Sequence, residues 1–171
     1  MAKKYRYFVE GECEKKLLRS FMFLESGGFV DGKVEVFNFA NKPITKSFAY
    51  SLKPDTTIVI VIDTDISNTD VLESNLKIIE NNSNLSLDKV LLVFSIKTLE
   101  DEIVYACSPK IKNVNDIFKT KTKEEFKKKF INHRELRVKL ESLGFDIKRM
   151  WSRAAKPPYD KYVCSGDKIK R

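Results

Sequence analysis

Acidic side chains follow three separate apolar segments of the sequence. They are Glu10 and Glu14, then Asp63 and Asp65, then Glu100 and Asp101. Carboxylates that the fold brings together repel one another and raise one another's pKa values. A divalent cation such as Mg²⁺ or Mn²⁺ prefers oxygen ligands, removes this conflict and supports phosphoryl transfer. The pattern therefore predicts a Mg²⁺ or Mn²⁺ site made of these acids.

Two of the three acidic groups also have a purely structural interpretation. Glu14 lies near the start of a predicted helix, where the helix dipole favours an acid. Thr98 followed by acids has the pattern of a helix N-cap. Asp63 is different, because it directly follows the apolar run "TIVIVI", and an acid at the end of a buried strand is costly without a function.

The segments that precede the acids have the composition of buried strands, and they alternate with helical patterns. The predicted strands are residues 5–9, 34–39, 57–62 and 89–94, and the predicted helices are residues 13–25, 70–80, 99–107 and 122–143. Continuous apolar runs such as residues 57–62 are typical of parallel strands covered on both faces. The order predicts an α/β fold with a mostly parallel central sheet flanked by helices. The acids would then gather at the carboxyl edge of that sheet.

Charge divides the chain into two parts. Residues 1–109 carry 13 Lys and Arg against 16 Asp and Glu, and residues 110–171 carry 19 against 8. We expect a core in residues 1–109 and a basic helical extension in residues 110–171 that packs on the same domain. Nucleic acid is the natural partner of such a basic segment, although a solvated lysine-rich helix face has the same composition. The candidate nucleic-acid-binding residues are Lys127, Lys128, Lys129, Arg134, Arg137 and Lys139.

Composition narrows the class of protein further. The 171 residues are enough for one domain with a real core, and no apolar run approaches the roughly 20 residues of a membrane span. We therefore expect no membrane partner. Three cysteines, in no metal-like pair, suit a reduced cytoplasmic protein. Trp151 and Tyr159 are candidates for stacking on bases, although ordinary packing is the simpler interpretation of Trp151.

The order of the acidic motifs resembles the TOPRIM domain, which topoisomerases, DnaG-type primases and OLD-family nucleases share. "FVEGECE" supplies Glu10 with Gly11, and "IVIVIDTDIS" supplies the D-x-D pair. The OLD-like and RloB-like branch has a first motif V-E-G-x-T-E, here with Cys13 in place of Thr, and a third motif L-E-D, here within "TLEDEI". The resemblance spans about residues 5–105.

The resemblance implies a metal-dependent nuclease that acts on DNA or RNA. Glu10 would be a metal ligand or a general acid/base, and the other acids would complete one or two metal sites. Lys156, or Arg153 in second place, would stabilise charge at the scissile phosphate. Because the ATPase domain of OLD proteins is missing, we expect a stand-alone protein or the effector of a system with a regulatory or ATPase partner. Small TOPRIM proteins of this branch suggest a role in anti-phage defence.

Two other classes remain open. One is a TOPRIM-like module that binds nucleic acid without catalysis. The other is a haloacid-dehalogenase-type phosphatase, since "IDTDIS", Ser95 and the Asp167 of "SGDK" resemble its motifs. In that family Asp63 would be the nucleophile, but the D-x-D strand normally comes first in the chain, and here two strands precede it.

Overall fold

The structure is a computed structural model that describes residues 4–25, 27–82 and 84–171. Its centre is a sheet of four parallel strands in the order β2-β1-β3-β4. The strands are β1 (Lys4–Val9), β2 (Gly32–Val36), β3 (Thr56–Asp63) and β4 (Val90–Ser95). The predicted α/β fold with a parallel central sheet is confirmed. β2 begins and ends earlier than the predicted residues 34–39.

In the part of the chain that the structure describes, seven helices accompany the sheet. They are α1 (Glu12–Phe21), α2 (Lys46–Tyr50), α3 (Asp70–Asn82), α4 (Leu99–Ala106), α5 (Asn115–Phe118), α6 (Lys123–Asn132) and α7 (Leu136–Glu141). Short 3₁₀ turns lie at Leu87–Lys89 and Gly166–Ile169. Among the described residues, no helix combines the length and the apolar character that crossing a membrane requires.

Both faces of the sheet are covered, as the continuous apolar strands require. Successive side chains of a strand point to opposite faces. Val59 and Val61 therefore lie in one apolar cluster, and Ile60 and Ile62 lie in the other. Helices α1, α4, α6 and α7 contribute to the first cluster, and α3 contributes to the second. Residues from the 110–171 segment are part of both clusters, so this segment shares the core of the sheet.

The single long helix predicted for residues 122–143 is wrong, because the chain forms α6 and α7 with a break between them. His133 ends α6 with extended backbone angles (φ −71°, ψ 120°). Phe130 and Leu136 are both buried in the same cluster. At about 100° per residue, six residues of a straight helix would turn Leu136 about 120° away from the Phe130 side. The break lets both helices bury their apolar sides in one core.

Glu102 anchors the C-terminal segment to the sheet. Its carboxylate is fully buried in α4 and accepts hydrogen bonds from the backbone N–H groups of Ile96 (3.0 Å) and Trp151 (3.1 Å). It also accepts from Arg153 Nε at 3.0 Å. Trp151 is itself fully buried and packs against Phe29 with ring centroids 5.2 Å apart. One carboxylate thus joins the end of β4, α4 and the C-terminal segment.

We expect Glu102→Gln to destabilise the protein by about 2–4 kcal/mol, because breaking a buried ion pair leaves charged and polar groups without partners. Urea unfolding followed by circular dichroism would measure the change. Glu73→Gln is the matched control, since Glu73 pairs with Lys161 at the surface and exposed pairs contribute little. Equal stability of the two variants would show that Glu102 is not an anchor.

Candidate functional site

A cleft of about 340 Å³ lies at the carboxyl edge of the sheet. Five of the six predicted metal-site acids line it, namely Glu10, Glu14, Asp63, Asp65 and Glu100. We call this feature the acid cleft. Its acids come from the carboxyl end of β3 and from the segments that follow β1, β3 and β4. These three strands are neighbours in the sheet, so their ends meet although they lie far apart in the sequence.

Glu10 lies at the centre of the hydrogen bonds that shape the acid cleft. One carboxylate oxygen accepts from the backbone N–H of Asp63 at 3.1 Å, and the other accepts from the side-chain amide of Asn38 at 3.1 Å. Gly11 follows at the N-cap of α1, and a Cβ at this position would lie only 3.2 Å from Glu14 Oε2. The Glu-Gly pair thus allows the Glu14 side chain to approach the backbone closely.

Burial gives the acids of the cleft unusual proton affinities. It raises the pKa of Glu10 to about 7, and the nearby charges of Glu14 and Asp65 add to that rise. Burial, with Glu14 and Glu10 beside it, also raises the pKa of Asp63 to about 8. The pKa of Glu14 is raised by burial and by Glu100. Without a cation, burial and mutual repulsion make it unfavourable for all of these carboxylates to be ionised at neutral pH.

Glu100 has the opposite environment, because two lysines of α6 pair with it. Its side chain is 10% exposed, and its oxygens lie 3.1 Å from Lys123 Nζ and 3.4 Å from Lys127 Nζ. Burial raises its pKa, but hydrogen bonds from its own backbone and from Lys123 outweigh this effect, and the net pKa is lowered. The acid cleft therefore has an ionised acid and two cations at its mouth.

The donor set fits a hard divalent cation. Asp63 Oδ1 is buried and, among the described residues, has no hydrogen-bond partner. Cys13 also lines the cleft, but carboxylate oxygens are the most numerous potential ligands there, and they suit a hard cation. The described residues contain no three His, Cys, Asp or Glu side chains already placed around one metal position. Metal binding would therefore require side chains such as the exposed Asp65 to turn.

Asp101 does not line the acid cleft. It is exposed in the first turn of α4 and accepts a hydrogen bond from Thr98 Oγ1 at 2.9 Å. Thr98 in turn accepts from the Asp101 backbone N–H at 3.4 Å. Thr98 is therefore the N-cap that the sequence offered as the structural alternative, and Asp101 is its hydrogen-bonding partner in the first turn.

The two candidates for the late catalytic cation also do not line the acid cleft. The guanidinium of Arg153 is held by Glu102 and lies 4.3 Å from the centroid of the Tyr105 ring. Lys156 is exposed in a turn in which its carbonyl accepts from the Tyr159 backbone N–H at 2.9 Å. The structure assigns Arg153 to an anchoring contact and leaves Lys156 at the surface.

The predicted nucleic-acid-binding residues are divided between the cleft and the surface. Lys127 lines the acid cleft, whereas Lys128, Lys129 and Arg134 are exposed. The other two lie in α7: Lys139 is partly buried, and Arg137 lies 3.6 Å from Glu141.

Glu12, Asn38 and Lys123 line the cleft and were not among the predicted site residues. The sequence does contain a signal for Lys123. It lies four residues before Lys127, and this spacing places both lysines on one side of α6. No sequence signal indicates Asn38, because its hydrogen bond to Glu10 forms only where the ends of β1 and β2 lie side by side.

The prediction that Trp151 and Tyr159 stack on bases is wrong, because their side chains are 0% and 1% exposed and cannot reach a nucleic acid.

The phosphatase motifs are only partly brought together. Asp63 and Ser95 are register partners on β3 and β4. However, Ser95 Oγ accepts a hydrogen bond from Trp151 Nε1 at 3.2 Å, and this contact lies in the buried core. Asp167 is 82% exposed, pairs with Lys170 at 2.8 Å and does not line the acid cleft.

Comparisons with known protein families, with characterised proteins and with solved structures find no match to this chain. The resemblance to TOPRIM proteins therefore rests on the sequence motifs alone.

We expect Asp63→Asn to stabilise the metal-free protein, and to do so more at pH 8 than at pH 5. The pKa of Asp63 is about 8 in the folded protein and about 4 in an unfolded chain. Between these values the folded wild type binds more protons than the unfolded chain, so its stability falls as the pH rises. The free energy of unfolding that Asp63→Asn gains over the wild type should grow by at least about 1 kcal/mol from pH 5 to pH 8.

Urea unfolding in EDTA at several pH values would measure this effect. Asp88→Asn is the matched control, because Asp88 is exposed in the 3₁₀ turn before β4. A pH dependence of Asp63→Asn that equals that of Asp88→Asn would contradict the raised pKa.

Proposed function

We propose that this protein is a divalent-metal-dependent nuclease. The observation that carries the proposal is the acid cleft, in which buried carboxylates and two lysines lie side by side. Carboxylate oxygens suit Mg²⁺ or Mn²⁺, and lysines suit the phosphates of a nucleic acid. The position of the cleft at the carboxyl edge of a parallel sheet, where α/β proteins bind their ligands, adds support.

Four acids and two lysines of the cleft have a part in the proposed reaction. Glu10, Glu14, Asp63 and Asp65 would hold the cation, which supplies an activated water and stabilises charge on the phosphate. Burial raises the pKa of Glu10 to about 7 in the metal-free protein, and a bound cation would favour its ionised form. Lys123 and Lys127 are half exposed at the mouth and would bind phosphate oxygens beside the cation.

The surface around the cleft suits an extended polyanion. Residues 110–171 have 19 Lys and Arg against 8 Asp and Glu, and α6 carries the exposed Lys128 and Lys129 next to Lys127. A nucleic-acid backbone bound along α6 would pass the mouth of the acid cleft. This arrangement favours a polymer over a small phosphorylated metabolite.

A nucleic-acid-binding module without catalysis is the second candidate. The observation that favours it is the absence, among the described residues, of three side chains already arranged around one metal ion. The same lysines would then bind the backbone, and Glu100 would serve to position them.

The setting of the activity is part of the proposal. All three cysteines are free thiols, which suits the reducing cytoplasm. A regulatory or ATPase partner and a role in anti-phage defence rest on the TOPRIM resemblance alone.

Purified protein with Mn²⁺ or Mg²⁺ is expected to cleave plasmid DNA, single-stranded DNA or tRNA, and the substrate that is cleaved would define the class. EDTA and the double substitution Asp63→Ala/Asp65→Ala should each abolish cleavage, because both remove the cation. Gel electrophoresis of the products would measure this. Asp88→Ala/Asp70→Ala is the matched control, since both aspartates are exposed and neither lines the cleft.

If no substrate is cleaved, a measurement of Mn²⁺ binding distinguishes an inactive effector from a binding module. Mn²⁺ binding that the Asp63→Ala/Asp65→Ala protein loses, without cleavage, would favour an effector that needs a partner. Absence of both cleavage and Mn²⁺ binding would contradict the nuclease proposal and favour the binding module.

Lys123→Gln/Lys127→Gln should weaken nucleic-acid binding and reduce the dependence of log K on log salt concentration by about 1.4–1.8, the value for two lost phosphate contacts. Fluorescence anisotropy with a labelled oligonucleotide, in EDTA and at several NaCl concentrations, would measure it. Lys53→Gln/Lys77→Gln removes the same charge from positions outside the cleft. An equal effect of both variants would show that binding depends only on net charge.

A further inference from the structure

Asn38 brings the end of β2 to the acid cleft. It follows the last residue of that strand, Val36, by two positions, and its side chain lines the cleft. Its amide nitrogen Nδ2 donates a hydrogen bond to Glu10 Oε2 at 3.1 Å. Glu10 follows β1, Asp63 ends β3 and Glu100 follows β4, so each strand of the described sheet brings a polar side chain to the cleft.

The turn after β2 fixes the orientation of the Asn38 amide. Asn38 Oδ1 accepts hydrogen bonds from the backbone N–H groups of Ala40 at 2.9 Å and Asn41 at 3.0 Å. In a side-chain amide the oxygen accepts and the nitrogen donates. Because the oxygen faces two donors of the turn, the –NH₂ group is the end that faces Glu10.

The core holds this turn in place. Phe39 is 1% exposed and packs against Phe8 of β1 with ring centroids 5.1 Å apart. The carbonyl of Phe39 accepts from Nδ2 of Asn75, a fully buried residue of α3, at 2.9 Å. The fold therefore positions the Asn38 amide before any ligand binds, as a group that orients a binding residue must be.

The turn by itself does not require asparagine. Aspartate and serine side chains also accept from backbone N–H groups in such turns. An aspartate at position 38 would place another carboxylate beside Glu10, where acids already repel one another. The amide gives Glu10 Oε2 a donor instead, while the Asp63 backbone N–H donates to Oε1 at 3.1 Å. Each carboxylate oxygen has a second lone pair, which is left for a cation.

We propose that Asn38 is a positioning residue, which holds the Glu10 carboxylate in the orientation that binds the divalent cation of the acid cleft. The proposal rests on the metal site of the proposed function. Carboxylates that bind a metal are usually hydrogen-bonded themselves, and these outer partners contribute about tenfold or more to metal affinity. Asn38 acts through Glu10 and not on the cation.

Asn38→Ser in the full chain tests the proposal, with Mn²⁺ titration followed by electron paramagnetic resonance. The serine hydroxyl can still accept from the turn, but it is too short to reach Glu10. Mn²⁺ affinity is expected to fall about tenfold or more. The spectrum of the bound ion should also change, because its zero-field splitting depends on the arrangement of the ligands.

Asn113→Ser is the matched control. Asn113 Oδ1 accepts from the Asn115 backbone N–H at 2.8 Å in a similar turn, and Asn113 does not line the cleft. Its Mn²⁺ affinity and bound-ion spectrum should equal those of the wild type. Unchanged affinity of Asn38→Ser would overturn the proposal, as would an equal loss in both variants. A loss of affinity with a lower melting temperature in EDTA and an unchanged bound-ion spectrum would also overturn it, since a purely structural role has that result.

Nuclear magnetic resonance of the wild type provides a second measurement that needs no variant. The side-chain NH₂ protons of Asn38 should exchange slowly with water both without metal and with saturating Mg²⁺, because the hydrogen bond to Glu10 persists. Loss of this protection on Mg²⁺ binding would overturn the proposal and leave the metal site standing. Absence of Mg²⁺ and Mn²⁺ binding by the wild type would overturn both proposals.

Discussion

The crowding of carboxylates at the carboxyl edge of the sheet is the constraint on which the rest of the structure depends. Glu10, Glu14 and Asp63 are drawn together because the ends of β1 and β3 are neighbours, and their burial raises the pKa of each. Only part of this unfavourable charge is compensated within the chain. Asn38 and the Asp63 backbone donate to Glu10, while one oxygen of Asp63 has no partner among the described residues. A site with this imbalance has a physical reason to bind a cation.

The 110–171 segment supplies the opposite charge and fixes it in place. Helix α6 packs on α1 through Phe126 and Phe130, and this packing brings Lys123 and Lys127 to Glu100. The C-terminal turns are held by Glu102, which ties Arg153 and the backbone of Trp151 to the end of β4. The apolar core therefore positions the charged groups, and the ion pairs at the mouth add specificity more than stability.

The pairing of Glu100 with two lysines has a consequence for binding. A cation that attracts Glu100 would release the lysines toward phosphate, and a phosphate that binds the lysines would release Glu100 toward the cation. Two ligands that compete for the same internal ion pairs favour one another's binding, and such coupling is reciprocal. If the site has the proposed function, metal and nucleic acid would then be recognised together.

The sequence by itself determined the parallel sheet and five of the six acids in the cleft, because both depend on local patterns. Apolar β-branched runs define buried strands, and an acid after such a run must lie at the sheet edge. The tertiary structure alone decided the role of Asn38, the pairing of Glu100 with α6, the Glu102–Arg153 anchor and the burial of Tyr159. It also broke the predicted helix of residues 122–143, since Phe130 and Leu136 must reach one core. These features arise from contacts between residues distant in the chain, which no local pattern contains.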